Sequence, residues 1–389
     1  MIQRKPVGRQ KGRKVIPLML SVDPKCPPTF KDNKYQNPWD PTVGEFSHTE
    51  ILKISQASKK NRKSNDPKTV HSIMTQDISE TKKEILDTST LVPKIRITWI
   101  GHACILVQMN GVNILTDPIF SNHFGPSRLF STKRYFPSPV KISDLPTIHI
   151  VLISHNHYDH LDEPTVKALG NDPTYFVPMG LKNWFSRRAI TNCHEMSWWE
   201  DNTVRININD ELHEIDIICT PSQHWSSRTP FDRNKTLWSS WVLVDKLSNK
   251  RIFFAGDTAY CPVFEVIGNE LGPFDFAAIP VGGYEPRWFM ANKHCNPEEA
   301  TIIHHEIKSK QSLAISWGTF PLGEQSWFKC MSELKKAKIK YSVPASEFVG
   351  CYAGQSFILG VTQFTPFLEE EMMETIEKPL RPIQMLQKK

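Results

Sequence analysis

Between His155 and His160 the chain sets three histidines and a carboxylate within six residues, in the run Ser154-His155-Asn156-His157-Tyr158-Asp159-His160. The residues just before it, Ile148-His149-Ile150-Val151-Leu152-Ile153, are strongly apolar. That pattern reads as a buried strand delivering a loop. Imidazole nitrogen and carboxylate oxygen are the donors zinc prefers, and a fold held by packing alone has no need of so many on one short loop. The run therefore predicts a metal centre at a strand end.

Three later strand ends carry matching chemistry. Thr220-Pro221-Ser222-Gln223-His224-Trp225 follows an apolar run and places His224 on a loop. Phe253-Phe254-Ala255-Gly256-Asp257-Thr258 places Asp257 after a strand, with Gly256 permitting a tight turn. Ala314-Ile315-Ser316-Trp317-Gly318-Thr319 repeats the arrangement. Sites gather where several strands end on one edge of a layered fold.

Asn110-Gly111 between two apolar runs predicts a hairpin. Further strands are expected at 174–177, 204–208, 215–220, 238–244, 251–255, 277–281 and 313–316. One helix is expected from 162 to 169, with Asp162 as N-cap and Pro164 in its first turn. Another follows Asn296, where Pro297 and Glu299 complete a capping-box pattern. Residues 121–139, rich in Phe, Arg and Pro, read as loop. Many strands with few helices predict α/β layers, the helices outside two sheets.

With 389 residues, 39% of them hydrophobic, the chain can bury one large core or two medium ones. No apolar stretch approaches the roughly 18 residues that cross a bilayer. Met1–Lys14 is basic but lacks the apolar centre of a secretory signal. The eight cysteines form no CxxC pair, so reduced, mostly buried thiols in an intracellular protein are expected. Residues 1–90 are polar, basic and without a core of their own, and Asn37-Pro38-Trp39 is their expected anchor on the body. The net charge of +6 concentrates at Arg4, Lys5, Arg9, Lys11, Arg13 and Lys14, and again at Lys59, Lys60, Arg62 and Lys63. Such runs suit a solvated tail or an anionic membrane surface, at about 1 kcal/mol per residue near lipid. No nucleic-acid module accompanies them.

The six residues His155–His160 match the H-x-H-x-D-H signature of the metallo-β-lactamase superfamily, which the chain resembles. From about Asn37 to at least Thr319 it is also similar to the family of N-acylphosphatidylethanolamine-hydrolysing phospholipases D. Thr98-Trp99-Ile100-Gly101-His102-Ala103, Leu115–Ser121, Pro221–Trp225, Phe253–Pro262 and Pro297–Ala300 carry that likeness. So does the idiosyncratic run Tyr284-Glu285-Pro286-Arg287-Trp288-Phe289-Met290.

The resemblance implies a four-layer αβ/βα sandwich over residues 91–360, with 361–389 as a tail. It implies two zinc ions at one edge. His155, His157 and His224 hold the first, Asp159 and His160 the second, and Asp257 bridges them. The family's last ligand histidine falls here on Ser316, whose neutral hydroxyl is a poor zinc donor, so the second zinc should bind weakly. His304 and His305, on the preceding helix, are not expected to replace it.

The activity implied is hydrolysis of N-acylphosphatidylethanolamine to N-acylethanolamine and phosphatidic acid, reduced by Ser316. Asp159 and His294 are the expected catalytic residues, and Arg228, Lys293 and Tyr158 the expected substrate contacts. Trp198, Trp199, Trp225, Trp288, Phe289 and Met290 are candidates to line an acyl-chain cavity. A homodimer on the membrane periphery, cytoplasmic and without nucleic acid, follows from the same likeness. The competing expectation is a weakened homologue that binds N-acylated phospholipid without efficient turnover.

Overall fold

The computed structural model describes residues 25–47, 49–50, 53, 70, 74, 78–87 and 95–360. The basic runs at 4–14 and 59–63 and the tail 361–389 lie outside the described residues. The chain runs through β1 (Thr29–Lys31), β2 (Lys34–Gln36), α1 (Ile78–Leu86), β3 (Ile95–Gly101), β4 (Cys104–Met109), β5 (Val112–Thr116), β6 (His123–Ser127) and β7 (Phe130–Lys133). It continues through β8 (Ile150–Leu152), α2 (Glu163–Leu169), β9 (Thr174–Pro178), α3 (Lys182–Ser186), β10 (Cys193–Met196), β11 (Asp201–Ile208) and β12 (Glu211–Thr220). There follow β13 (Ser240–Asp245), β14 (Lys250–Phe254), α4 (Val263–Glu270), β15 (Phe276–Pro280), α5 (Arg287–Met290) and α6 (Pro297–Glu306). The last elements are β16 (Ser312–Ile315), α7 (Trp327–Tyr341), β17 (Phe348–Val349) and β18 (Ser356–Ile358).

Two seven-stranded sheets result, ordered β10-β9-β8-β5-β4-β3-β18 and β11-β12-β13-β14-β15-β16-β17. Side-chain alternation sorts the first sheet into two faces. Ile105, Val107, Ile114, Ile150, Leu152 and Phe176 enter one core shared with Ile215, Ile217, Leu243 and Phe253 of the second sheet. Their neighbours Leu106, Leu115, Val151, Tyr175 and Val177 form a second core with Ile85 of α1, Val166 of α2 and Phe185 of α3. Beyond the second sheet, Phe264 and Ile267 of α4, Ala300 and Ile303 of α6 and Met331 and Leu334 of α7 close the other side. The four-layer αβ/βα sandwich is the metallo-β-lactamase fold.

The hairpin at Asn110-Gly111 forms as expected, pairing Met109 with Val112 across two residues of positive φ, 48° and 84°. The stretch 121–139 departs from expectation, because β6 and β7 pair within it as a small surface hairpin. Gly125 and Pro126 interrupt its alternation, and its strands face solvent, so no apolar period marks them. The Asn37–Trp39 anchor is present. Trp39 is buried and stacks on Trp198 at 6.0 Å between centroids, and the Asn37 amide donates to the His224 carbonyl at 2.8 Å. No disulfide joins the eight cysteines, all of which lie among the described residues, and seven of them are buried. No helix among the described residues is long and apolar enough to cross a membrane.

One half-buried acid away from the strand-end loops makes stability depend on pH. Glu306, at the end of α6, accepts from the Tyr260 hydroxyl at 2.7 Å, and burial pushes its carboxyl up to about 7. The folded state then holds a proton between pH 4.5 and 7 that the unfolded chain has released, so stability falls as pH rises through that window. Glu306→Gln is expected to match the parent at pH 4.5 and to exceed it by up to about 3 kcal/mol at pH 8. Urea midpoints at the two pH values check this, and equal midpoints at pH 8 refute it.

Candidate metal centre

Strand β8 lies between β5 and β9 in the first sheet and ends beside Asp117, the residue after β5. Asp117 is fully buried and ties the loop down through three bonds. Its carboxylate accepts from Ser154 N at 2.7 Å, Ser154 Oγ at 2.5 Å and His160 Nδ1 at 2.6 Å. With Nδ1 of His160 so engaged, Nε2 faces the centre. His224 is fixed the same way, its Nδ1 donating to the Lys293 carbonyl at 2.9 Å, and the Ser154 hydroxyl contacts His155 Nδ1 at 2.8 Å. Hydrogen bonds of this kind on the far ring nitrogen orient metal-binding imidazoles.

The inward nitrogens converge in two groups. His155 Nε2 lies 2.8 Å from His157 Nδ1, and His224 Nε2 lies 3.2 Å from the same atom. Burial holds His155 and His224 well below the usual imidazole range and His157 at about 4, so these rings are neutral and present lone pairs to one another. The second group gathers Asp159, His160 and His102. His102 Nε2 is 3.1 Å from Asp159 Oδ2 and 3.2 Å from His160 Nε2. Asp257 joins the groups, its Oδ2 3.0 Å from His160 Nε2 and 3.9 Å from His294 Nδ1. Burial works against the charge on His160, yet Asp257, Asp159 and Asp117 hold it well above the usual range. Burial likewise opposes ionisation of Asp159 and Asp257, and His160 outweighs it, holding both below the usual carboxylate range.

These residues fit a metal. Neutral imidazoles crowd within hydrogen-bond distance of each other, two carboxylates stay ionised beside them, and His157 Nε2 and His294 Nδ1 are buried without a hydrogen-bond partner among the described residues. All six expected ligands, His155, His157, Asp159, His160, His224 and Asp257, fall in this cluster. The seventh position, Ser316, is adjacent. Its hydroxyl donates to Asp257 Oδ1 at 3.1 Å. His304 and His305 are engaged elsewhere, with Ser312 Oγ and the Tyr341 carbonyl.

The expected substrate contacts separate on inspection. His294 stands at the edge of the centre, its ring 5.1 Å from that of His224, and its backbone carbonyl is held by Arg287. Lys293 is buried, its ammonium bonded to the Phe289 carbonyl and Asn292, and burial pulls its pKa down to about 8. Arg228 Nη1 donates to the carbonyls of Asn156 and Leu161, so the guanidinium braces the ligand loop. Tyr158 donates to the Arg228 carbonyl beneath that guanidinium. Tyr158 and Arg228 face a cleft of about 1100 Å³ that also takes in Trp184, Arg187 and Arg188.

The aromatic expectations divide as well. Trp198 belongs to the core, donating to the Trp238 carbonyl at 2.7 Å. From His157, by contrast, a line of rings runs outward. Trp225 is 4.4 Å from His157, Phe46 5.1 Å from Trp225, Phe289 5.6 Å from Phe46, and Trp288 5.6 Å from Phe289. Trp288 is 59% exposed.

His102 and Asp117 are the residues of the cluster that sequence reasoning passed over. His102 interrupts the apolar run Ile97–Leu106 as a lone ring on a tight turn, and lone histidines carry little signal. Asp117 reads as ordinary turn chemistry before Pro118. The buried setting of both is visible only once the strands are assembled.

The family described as Beta-lactamase superfamily domain matches residues 112–317, more than half of the chain. The chain therefore belongs to the β-lactamase superfamily. Within it, the chain is 41% identical over 240 residues to N-acyl-phosphatidylethanolamine-hydrolyzing phospholipase D 1 of Caenorhabditis elegans, covering 59% of this chain and 66% of that protein. It is 36% identical over 242 residues to the mitochondrial N-acyl-phosphatidylethanolamine-hydrolyzing phospholipase D of Saccharomyces cerevisiae, covering 61% of this chain and 50% of that protein. The chain thus spans less than two thirds of either relative's length. A possible metal-dependent hydrolase from Veillonella parvula shares the fold, with a TM-score of 0.53 at 13% identity over 68% of this chain and 99% of that one.

Proposed function

We propose that this chain is a zinc-dependent phosphodiesterase of phospholipase D type, hydrolysing N-acylphosphatidylethanolamine to N-acylethanolamine and phosphatidic acid. The observation that carries the reading is the aromatic line from His157 to exposed Trp288, beginning at the ligand cluster and ending in solvent. An enzyme that draws an acyl chain from a bilayer needs such an apolar path, and large exposed aromatics mark such entrances. Similarity to two proteins named for this reaction supports the substrate class.

His155, His157 and His224 would hold one zinc, and Asp159 and His160 would contribute to a second, with Asp257 shared. Zinc held by these residues would supply water activation at neutral pH and neutralisation of phosphate charge. The chain's own groups do the rest. Asp257 and Asp159 remain ionised and can hold the proton released by water at a carboxylate oxygen. His294 Nδ1, buried and unpartnered, is placed to exchange a proton with the leaving oxygen. Arg187 at the neighbouring cleft gives an anionic head group a favourable field, while Arg188 there is already paired with Glu163 at 2.7 Å. In the same proposal the protein works as an intracellular homodimer at the membrane periphery.

The test is release from mixed micelles of N-acylphosphatidylethanolamine, followed by mass spectrometry, with and without a chelator. N-acylethanolamine and phosphatidic acid should appear together and vanish on chelation. Release of diacylglycerol instead, or no product from zinc-replete protein, sinks the proposal.

A further inference from the structure

We propose that His102 is a ligand of the second metal position, supplying through Nε2 the imidazole that Ser316 does not. The inference rests on the metal-hydrolase reading above and extends its ligand set.

Three observations carry it. First, His102 Nε2 stands 3.1 Å from Asp159 Oδ2 and 3.2 Å from His160 Nε2, which makes a compact set of one carboxylate and two imidazoles. Second, the backbone that carries the ring is fixed, while Nδ1 is buried without a hydrogen-bond partner among the described residues. The His102 amide donates to Thr319 Oγ1 at 2.7 Å, and the His102 carbonyl accepts from Trp99 Nε1 at 2.9 Å and from Ser316 N at 3.0 Å. The edge of Phe320 packs against the imidazole at 5.4 Å, and the backbone is held at a φ of 56°. A non-glycine residue in that region is sustained only where its surroundings fix it, and such positions cluster at functional sites. Third, Ser316 touches the same place. Its N–H bonds the His102 carbonyl and its hydroxyl reaches Asp257, so the two residues approach one cluster from adjoining backbones. A small side chain at 316 leaves the approach to His102.

The rival role is purely structural, with Nε2–H donating to Asp159 to hold that carboxylate in place. Gln keeps an N–H donor at similar reach but is a poor zinc ligand, whereas Asn tolerates the backbone conformation and reaches neither partner. The experiment titrates full-length, metal-free protein with Zn²⁺ against a competing chelator, for the parent chain, His102→Asn, His102→Gln, Ser316→His and the double variant His102→Asn with Ser316→His.

Two ions are expected on the parent. Both His102 variants should lose more than about 100-fold in affinity for the weaker ion while keeping the stronger within about threefold. The double variant should recover the weaker ion. A weaker ion retained within threefold by His102→Gln, or a parent that binds a single ion, overturns the proposal. Should the variants fail to fold, parent protein carrying ¹⁵N-histidine and ¹¹³Cd²⁺ decides. Cadmium coupling at His102 Nε2 supports ligation, and its absence overturns it. Neither readout uses lipid, so a chain that holds both ions through His102 yet releases no N-acylethanolamine would refute the substrate and leave the ligand.

Discussion

Asp257→Asn is expected to reduce the proposed phosphodiester hydrolysis at least about 10³-fold, the loss of several kcal/mol of transition-state stabilisation. The carboxylate links the two halves of the cluster. Oδ2 faces His160 Nε2 at 3.0 Å and His294 Nδ1 at 3.9 Å, and Oδ1 accepts from Ser316 at 3.1 Å. Gly256 positions it from a φ of 60°, at a spot where an added Cβ would lie 2.5 Å from Ser154 Cβ. Asparagine preserves volume, so packing around the loop survives. It removes the negative charge that two cations in close approach would share, and it can turn an amide N–H toward His160 Nε2. Metal per chain should fall along with turnover, while the melting temperature of the chelated protein moves by only a few degrees. Turnover above a tenth of the parent would show that Asp257 is not the bridging group. A large drop in chelated stability would show that its main role is to neutralise His160.

The metal cluster was readable because its donors sit in a dense local pattern. Four of the six expected ligands share one loop, and His224 and Asp257 each follow a recognisable strand end with turn residues beside it. Strand alternation likewise exposed the hairpin at Asn110-Gly111 and the expected members of both sheets. Other features lack any local signature. His102 becomes part of the centre through pairing of β3 with β4 and the approach of the Ser316 backbone, which comes from the other sheet. Helices α4 and α7 were missed because their faces are defined by packing on the second sheet rather than by caps. No side-chain cap bond forms at Pro262 or Ser326. Arg228 shows a second role that spacing does not reveal: while lining the cleft, it also donates to the carbonyls of Asn156 and Leu161 and so braces the loop.

Asp117→Ala should destabilise the metal-free protein by about 3–5 kcal/mol, the range found when one partner of a buried charged pair is deleted. The residue is fully buried, and burial pushes its carboxyl up against the opposing pull of His160 and the Ser154 donors. Truncation strands three donors at once, the His160 Nδ1–H, the Ser154 amide and the Ser154 hydroxyl. Each buried donor left unpaired costs about 1–3 kcal/mol. Asparagine offers little relief, because one carboxylate oxygen serves the Ser154 amide and the other serves both His160 and the Ser154 hydroxyl. An amide nitrogen in either place meets a donor with a donor. The second consequence is on the metal. Without Asp117 the His160 ring loses the bond that aims Nε2 at Asp257, and the Ser154 hydroxyl loses the acceptor that fixes it against His155 Nδ1. Metal affinity should fall by about 10–100-fold, the usual effect of removing a group that orients a ligand. Urea unfolding in chelator isolates the first effect, since bound metal would add its own stabilisation to the folded state, and competition titration measures the second. A variant within about 1 kcal/mol of the parent, holding metal as tightly, would mean that neighbouring strands and not Asp117 set the loop.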